Sequence, residues 1–230
     1  MPAPPDPAAE PRQRWRTVVA RDAGQAGSQR EVAAAWTAAI EAAGLPLVGG
    51  DLGRGRARIA FGAPLPVGMA AERELIDIVL TESWPVWRVR EAVTPHVPPG
   101  WRLIDLYDVW LGGPPLPGRV AAADYRIELD PAPDAAALAA AAAELVAARR
   151  LARQRLKGEK TVDYDLRPLL ISVAVEAGPP LIVRTRTRFD PELGTGRPEE
   201  VLAALAEGVG SPLEARSIVR ERLLLDEDLR

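Results

Sequence analysis

A chain of 230 residues with 47% hydrophobic and 27% charged side chains has room for two small domains and enough apolar material for packed cores, which excludes wholesale disorder. It has no cysteine and one histidine, so disulfides, zinc fingers, thiol nucleophiles and the thiolate cradle of an iron-sulfur cluster are excluded, and His96 has no second imidazole to share a metal with. A formal net charge of -3 rules out a uniformly basic nucleic-acid protein and leaves space only for a local basic patch.

Residues 1–13 are rich in Pro and Ala and lack an apolar h-region, so they read as a disordered lead-in rather than a signal peptide or anchor. No later stretch reaches the ~20 uninterrupted apolar residues of a spanning helix, and a soluble, cytoplasmic protein is expected. Segment 14–21 alternates Trp15, Thr17 and Val19 with Arg14, Arg16 and Val18, the pattern of a strand whose faces differ in polarity. Ser28 and Glu31 then form a capping box, because the hydroxyl accepts from a free helix N–H while the carboxylate reaches back to the cap. Val32, Trp36 and Ile40 fall on one stripe with Ala35, Ala39 and Ala43, and Gly44 with Pro46 ends the helix. Strands follow at 56–63 and 74–82, a short helix from Pro85 carries Val86, Val89 and Val93, and strand chemistry returns at 101–110.

Gly112, Gly113, Pro114 and Pro115 mark a linker over 112–123, after which the pattern repeats. Tyr125, Ile127 and Leu129 indicate a strand, and Asp134 caps an alanine-rich helix predicted to reach about Leu156. Strands at 166–176 and 181–189 flank Gly178-Pro179-Pro180, a helix opens at Pro198, a strand occupies 214–225, and 226–230 is a solvated tail. Two consecutive βαββαβ runs predict an α+β fold of tandem ferredoxin-like halves, 14–111 and 124–225, each an antiparallel sheet with helices on one face.

The strongest local signal is Arg184, Arg186 and Arg188, which alternate along one strand and so share a face, with Val183, Thr185, Thr187 and Phe189 on the other. Arg126 on the first strand of that half, and Arg216, Arg220 and Arg222 on its last, extend the same face. Two readings stand: a phosphate-binding surface, since guanidinium groups pair with phosphate through paired hydrogen bonds, or a solvated face held by cross-strand pairs with Glu128 and other acids. Outward aromatic rings are missing, so contacts to a nucleic-acid backbone rather than base stacking are expected. A second polar cluster comprises Lys157, Lys160, Asp163, Asp165 and Arg167. These side chains hold a polar ligand, or the cations of the segment complement a helix C-terminus. The loop 193–198, with Arg197, precedes a helix N-terminus and is either a helix-entry turn or an anion cradle. His96 sits in a Pro-rich turn and reads as a surface residue. Trp84, Trp87, Trp101 and Trp110 gather near the end of the first half, as packing residues or as a partner-binding patch.

In order along the chain stand Ala43-Gly44-Leu45-Pro46, Phe61-Gly62-Ala63-Pro64-Leu65-Pro66-Val67-Gly68, Lys157-Gly158, Asp165-Leu166-Arg167-Pro168 and Gly196-Arg197-Pro198. In this combination the chain resembles the radical SAM-linked family, an uncharacterised domain found fused to, or encoded beside, radical SAM enzymes. Two stretches depart from that family: Gly27-Ser28-Gln29-Arg30-Glu31 stands where a Ser-His-Leu-Asp-like segment is typical, and Gly49-Gly50-Asp51-Leu52-Gly53-Arg54 where a Phe-Asn-Pro-like turn is. Any site those polar residues serve elsewhere is altered here. The resemblance implies a separate radical SAM enzyme as partner, and the arginine face implies RNA or another phosphate-bearing substrate. The expected function is therefore a non-catalytic accessory protein with no cofactor of its own. Tandem ferredoxin-like halves also resemble CRISPR RNA-processing endonucleases, which makes a metal-independent ribonuclease using His96 or Tyr164 the alternative. A pure protein-protein interaction module is the third reading.

Overall fold

The computed structural model describes residues 10–25, 27–48, 58–131, 133–157 and 160–230. Residues 1–9 of the expected lead-in lie outside them, and Gln13 already opens the first strand. The chain divides into two units, Met1–Val120 and Ala121–Arg230.

In the first unit, β1 (Gln13–Arg21), α1 (Gln29–Ala42), β2 (Ile59–Phe61), β3 (Ala70–Leu80), α2 (Val86–Val93) and β4 (Trp101–Val109) follow one another. The strands lie in the order β2-β3-β1-β4 and every pair is antiparallel. Because Trp15 stands opposite Ile78 and Thr17 opposite Ile76, one parity of each strand faces the helices. Trp15, Val19, Ile76 and Ile78 bury there against Trp36 and Ile40 of α1 and Val89 and Val93 of α2. Each such side chain contributes roughly 1.5–3 kcal/mol of burial. The capping box is present: Ser28 Oγ accepts from Glu31 N at 3.3 Å and Glu31 Oε2 accepts from Ser28 N at 2.7 Å.

Arg14 and Arg16, on the other parity of β1, are 6% and 2% exposed. They close on Asp77 of β3, and the carbonyls of Gly113 and Pro114 accept from Arg14 at 3.1 and 3.0 Å. With Leu116 fully buried as well, the stretch expected as a linker is not free: 113–116 packs within the first unit and 120–123 already runs in the next strand.

In the second unit the elements are β5 (Val120–Leu129), α3 (Ala135–Ala147), β6 (Ala152–Lys157), β7 (Lys160–Asp165), β8 (Leu170–Glu176), β9 (Leu181–Asp190), β10 (Gly194–Thr195), α4 (Pro198–Val209) and β11 (Ala215–Leu225). The strands run β8-β9-β5-β11, with the two-residue β10 also on β9. The pairs β5·β9 and β8·β9 are antiparallel. Ile127, Leu129 and Val183 pack against Leu138 and Leu145 of α3 and Val201 and Leu205 of α4.

The helix predicted to reach Leu156 stops at Ala147, and β6 and β7 form a separate two-stranded hairpin. Its base is pinned by polar groups that a continuing helix has no use for. Asp165 Oδ1 accepts from Leu151 N and Arg167 N at 2.8 and 3.0 Å, and Arg167 donates to the carbonyls of Ala148 and Leu170 at 3.0 and 2.7 Å. The carbonyl of Ala148, left free where the helix ends, thereby finds a charged donor. Mixed α+β elements, mostly antiparallel strands and four helices make up the described residues. None of those helices is long and apolar enough to cross a membrane.

Candidate polyanion-binding surfaces

Strand alternation puts Arg184 and Arg186 on one face of β9, opposite Arg126 and Asp124 of β5. Arg126 and Arg184 are therefore like charges in direct cross-strand contact, an arrangement that needs acids around it. They are supplied. Asp124 accepts from Arg186 Nε at 2.6 Å and Nη2 at 3.0 Å, and from Arg222 Nε at 2.8 Å. Arg184 pairs with Glu176 at 2.6 Å and with Glu221. Arg126 pairs with Glu128 at 2.7 Å and with Glu221 at 3.3 Å.

Ionisation follows this geometry. Burial pushes the Asp124 carboxyl up, yet Arg186 and Arg222 outweigh it and hold it below the ordinary value. Arg184 is pushed far above the ordinary guanidinium value by Glu221 and then Glu176. Both effects describe charges already satisfied.

The guanidiniums of Arg126, Arg184, Arg186 and Arg222 thus pair with four carboxylates, and the charge of Asp228 also acts on Arg186. Arg188 is exposed opposite Ala122 and has no ion pair among the described residues, though its charge acts on the Asp190 carboxyl two residues on. Arg216 is exposed on β11, but Arg220, expected on the same open face, is 1% exposed and does not present its charge to solvent.

The second cluster divides differently. Asp165 and Arg167 hold the hairpin base, and Asp163 accepts from Gln154 at 2.8 Å. Arg167 follows β7 in a 3-10 turn and so lies off the strand that carries Asp163 and Asp165. Lys157 and Lys160 pair across the end of β6 and β7, next to residues 158 and 159, which lie outside the described residues.

Arg149 and Arg150, assigned from sequence to a helix end, instead stand exposed at the entry to the hairpin. Arg153 is tied to Glu207 of α4 at 2.7 Å, and the Arg155 guanidinium lies 4.7 Å from the centre of the Tyr164 ring. Over 149–165 the sequence places six cations against Glu159, Asp163 and Asp165. The signal that could have found this surface is the alternation of Arg153, Arg155 and Lys157 running into Lys157-Gly158, a turn dipeptide rather than a helix interior.

Around the loop 193–198, Gly196 N donates to Arg188 O at 3.0 Å and Gly196 O accepts from Thr187 at 2.7 Å. Glu199 and Glu200 fill the first turn of α4, and exposed Arg197 caps it without a side-chain bond. Two carboxylates at that N-terminus already answer the helix dipole, so the loop is a helix-entry turn. Tyr164 ionises well above the ordinary phenol range because it is buried and faces Glu200. It keeps its proton at neutral pH. His96 is exposed in a 3-10 turn of the other unit.

In the first unit the Phe61–Leu65 loop, Arg21, Glu74 and Trp101 border a cavity of about 30 Å³. That is room for about two waters. Trp101 stacks edge-on against Trp36, with 5.6 Å between ring centres, whereas Trp87 and Trp110 are 63% and 79% exposed. The departure at Gly49–Arg54 lies outside the described residues.

No curated protein matches the sequence. Among solved structures the chain is similar to one in a Cbf5-Nop10-Gar1 complex, with a TM-score of 0.48 and 8% identity over 90% of this chain and 48% of that one. It is also similar to one in the archaeal box H/ACA sRNP Nop10-Cbf5 complex, with a TM-score of 0.39 and 11% identity over 88% and 46%. This chain thus spans about half the length of those chains, and likenesses of that size carry no functional argument. A family model matches residues 27–201, well over half of the sequence, and the chain belongs to the family described as uncharacterized protein conserved in bacteria, DUF2344.

Proposed function

We propose that this protein is a non-catalytic, cytoplasmic binding partner of a separate radical SAM enzyme and holds RNA, or another phosphate-bearing substrate, for it. The observation that supports the substrate class is the hairpin: Arg149 and Arg150 stand exposed at its entry, and Lys157 and Lys160 are in register where β6 and β7 end, on a two-stranded element outside the main sheet. The arginine face contributes Arg188 to this reading and little more, because its other guanidiniums are neutralised. Phosphate contacts from Lys and Arg supply affinity that falls steeply with salt, without reading bases.

The partner rests on the resemblance in the ordered segments 43–46, 61–68, 157–158, 165–168 and 196–198. With no cysteine in these residues, the thiolates of an iron-sulfur cluster lie outside them. The proposal includes a tandem ferredoxin-like architecture. It is supported by the order β2-β3-β1-β4 in one unit and β8-β9-β5-β11 in the other, each with its two helices buried against the sheet.

Two measurements test the proposal. Anaerobic co-purification with a radical SAM enzyme from the same cell should give a complex, and none at micromolar concentration refutes the partnership. Labelled RNA should be bound at low salt and remain intact in chelator. Cleavage would transfer the case to a metal-independent ribonuclease.

A further inference from the structure

Beneath β1 and β3 the first unit holds two guanidiniums on one carboxylate. Asp77, 1% exposed, receives Arg14 Nε at 2.8 Å and Nη2 at 2.6 Å, and Arg16 Nε at 2.7 Å and Nη2 at 3.0 Å. Both its oxygens are used, and among the described residues no other carboxylate bonds to either arginine. The carbonyls of Gly113 and Pro114 turn their dipoles to Arg14 but bring no net charge. A whole positive charge is therefore buried, a costly condition that a bound counter-anion relieves.

A cavity of about 160 Å³ opens against this group, bordered by Arg14, Asp77, Arg58, Ala60, Val79 and Leu111. At ~10–15 Å³ per water-sized position, it has room for about ten such positions, more than a phosphate group needs. Exposed Arg58 precedes β2 and adds a second net positive charge at the wall. Arg14 Nη1 gives both its hydrogens to carbonyls, which leaves one N–H of Nη2 for a ligand, and exposed Arg58 makes no ion pair among the described residues.

We infer that this cavity binds the phosphate group of a small phosphate-bearing molecule, gripped by Arg58 and held in the field of the Arg14–Asp77–Arg16 group. Charge selects the class. Three guanidiniums less one carboxylate call for a dianion, which a phosphate monoester is above its second ionisation and a carboxylate is not. The site is independent of the hairpin in the other unit.

Calorimetric titration of the full chain at fixed ionic strength and about pH 8, with inorganic phosphate, a ribonucleoside 5′-monophosphate and acetate, decides it. One saturable site for the two phosphates is expected, with acetate at least about tenfold weaker. Arg58→Gln, at an exposed position outside the buried triad, should weaken phosphate about tenfold and leave the circular dichroism spectrum unchanged. A Lys157→Ala, Lys160→Ala variant should bind phosphate as the parent does. Equal affinity for the two phosphates assigns the site to the free anion, and a tighter nucleotide assigns it to the ester. Absence of saturable binding, acetate binding as tightly as phosphate, or indifference to Arg58→Gln overturns the inference.

Discussion

Replacing Lys157 and Lys160 by alanine should flatten the salt dependence of RNA binding by a calculable amount. Arg153 is committed to Glu207 and Arg155 to the Tyr164 ring, so on the proposed reading the hairpin's phosphate contacts come from Arg149, Arg150, Lys157 and Lys160. About four phosphates neutralised on a single strand give a slope of log affinity against log salt near -2.8, and affinity falls about 50-fold between about 50 and about 200 mM. With two of the four removed, the slope drops to about -1.4 and the loss over the same interval to about sevenfold. Fluorescence anisotropy with a labelled single strand at four or five salt concentrations measures both lines. Arg184→Ala with Arg186→Ala is the decisive control, because those guanidiniums already hold Glu176, Glu221 and Asp124. Their loss should leave the slope as it was. Parallel lines for the parent and the lysine variant, or a flattened line for the arginine variant, would refute the placement of the binding charge on the hairpin.

Other consequences follow from the ion pairs. Asp77→Asn should destabilise the protein by about 3–5 kcal/mol in urea titrations, since two guanidiniums then stay buried without a carboxylate. Replacing all three groups, Arg14→Met with Arg16→Met and Asp77→Leu, should be neutral or stabilising, and a loss as large as the single variant's contradicts this account. Asp124 has a folded-state pKa below its unfolded value, because Arg186 and Arg222 outweigh burial, so its stabilisation is complete above an unfolded pKa of about 3.9 and lost as pH falls through the folded one. Asp124→Asn should therefore flatten the stability curve below about pH 4, read from denaturation midpoints at neutral and acid pH. Arg167→Gln removes the donors to Ala148 and Leu170, and trypsin should then cut at the hairpin arginines on the order of tenfold faster.

Local interactions were legible in the sequence and long-range ones were not. The Ser28–Glu31 capping box needs residues three apart, and it forms as read. The alternation of Arg184, Arg186 and Arg188 correctly gives their side of β9, but the acid that holds Arg186 is 62 residues away and the one shared by Arg184 is 37 residues on. Period fixes a face; only register names the partner across it. The same limit hid the burial of Arg14 and Arg16, since alternation separates them from Trp15 and Thr17 without saying what covers them. At 148–157 propensity misled. Alanine, arginine, leucine and lysine are all good helix formers, and the hairpin is decided instead by Asp165 and Arg167 closing its base from beyond the segment.

The two basic regions of the second unit differ because of how many strands surround each cation. On β9, flanked by β5 and β8, a guanidinium has neighbours on both sides within reach, and Asp124 and Glu176 occupy those places. Such a lattice stabilises the sheet and for that reason has little field left for a ligand. A strand of the hairpin has one neighbour, and at its end the facing residue is another lysine, Lys160 opposite Lys157. If the proposed reading holds, substitutions on β9 should move the denaturation midpoint and spare RNA binding, while those at the hairpin end should do the reverse.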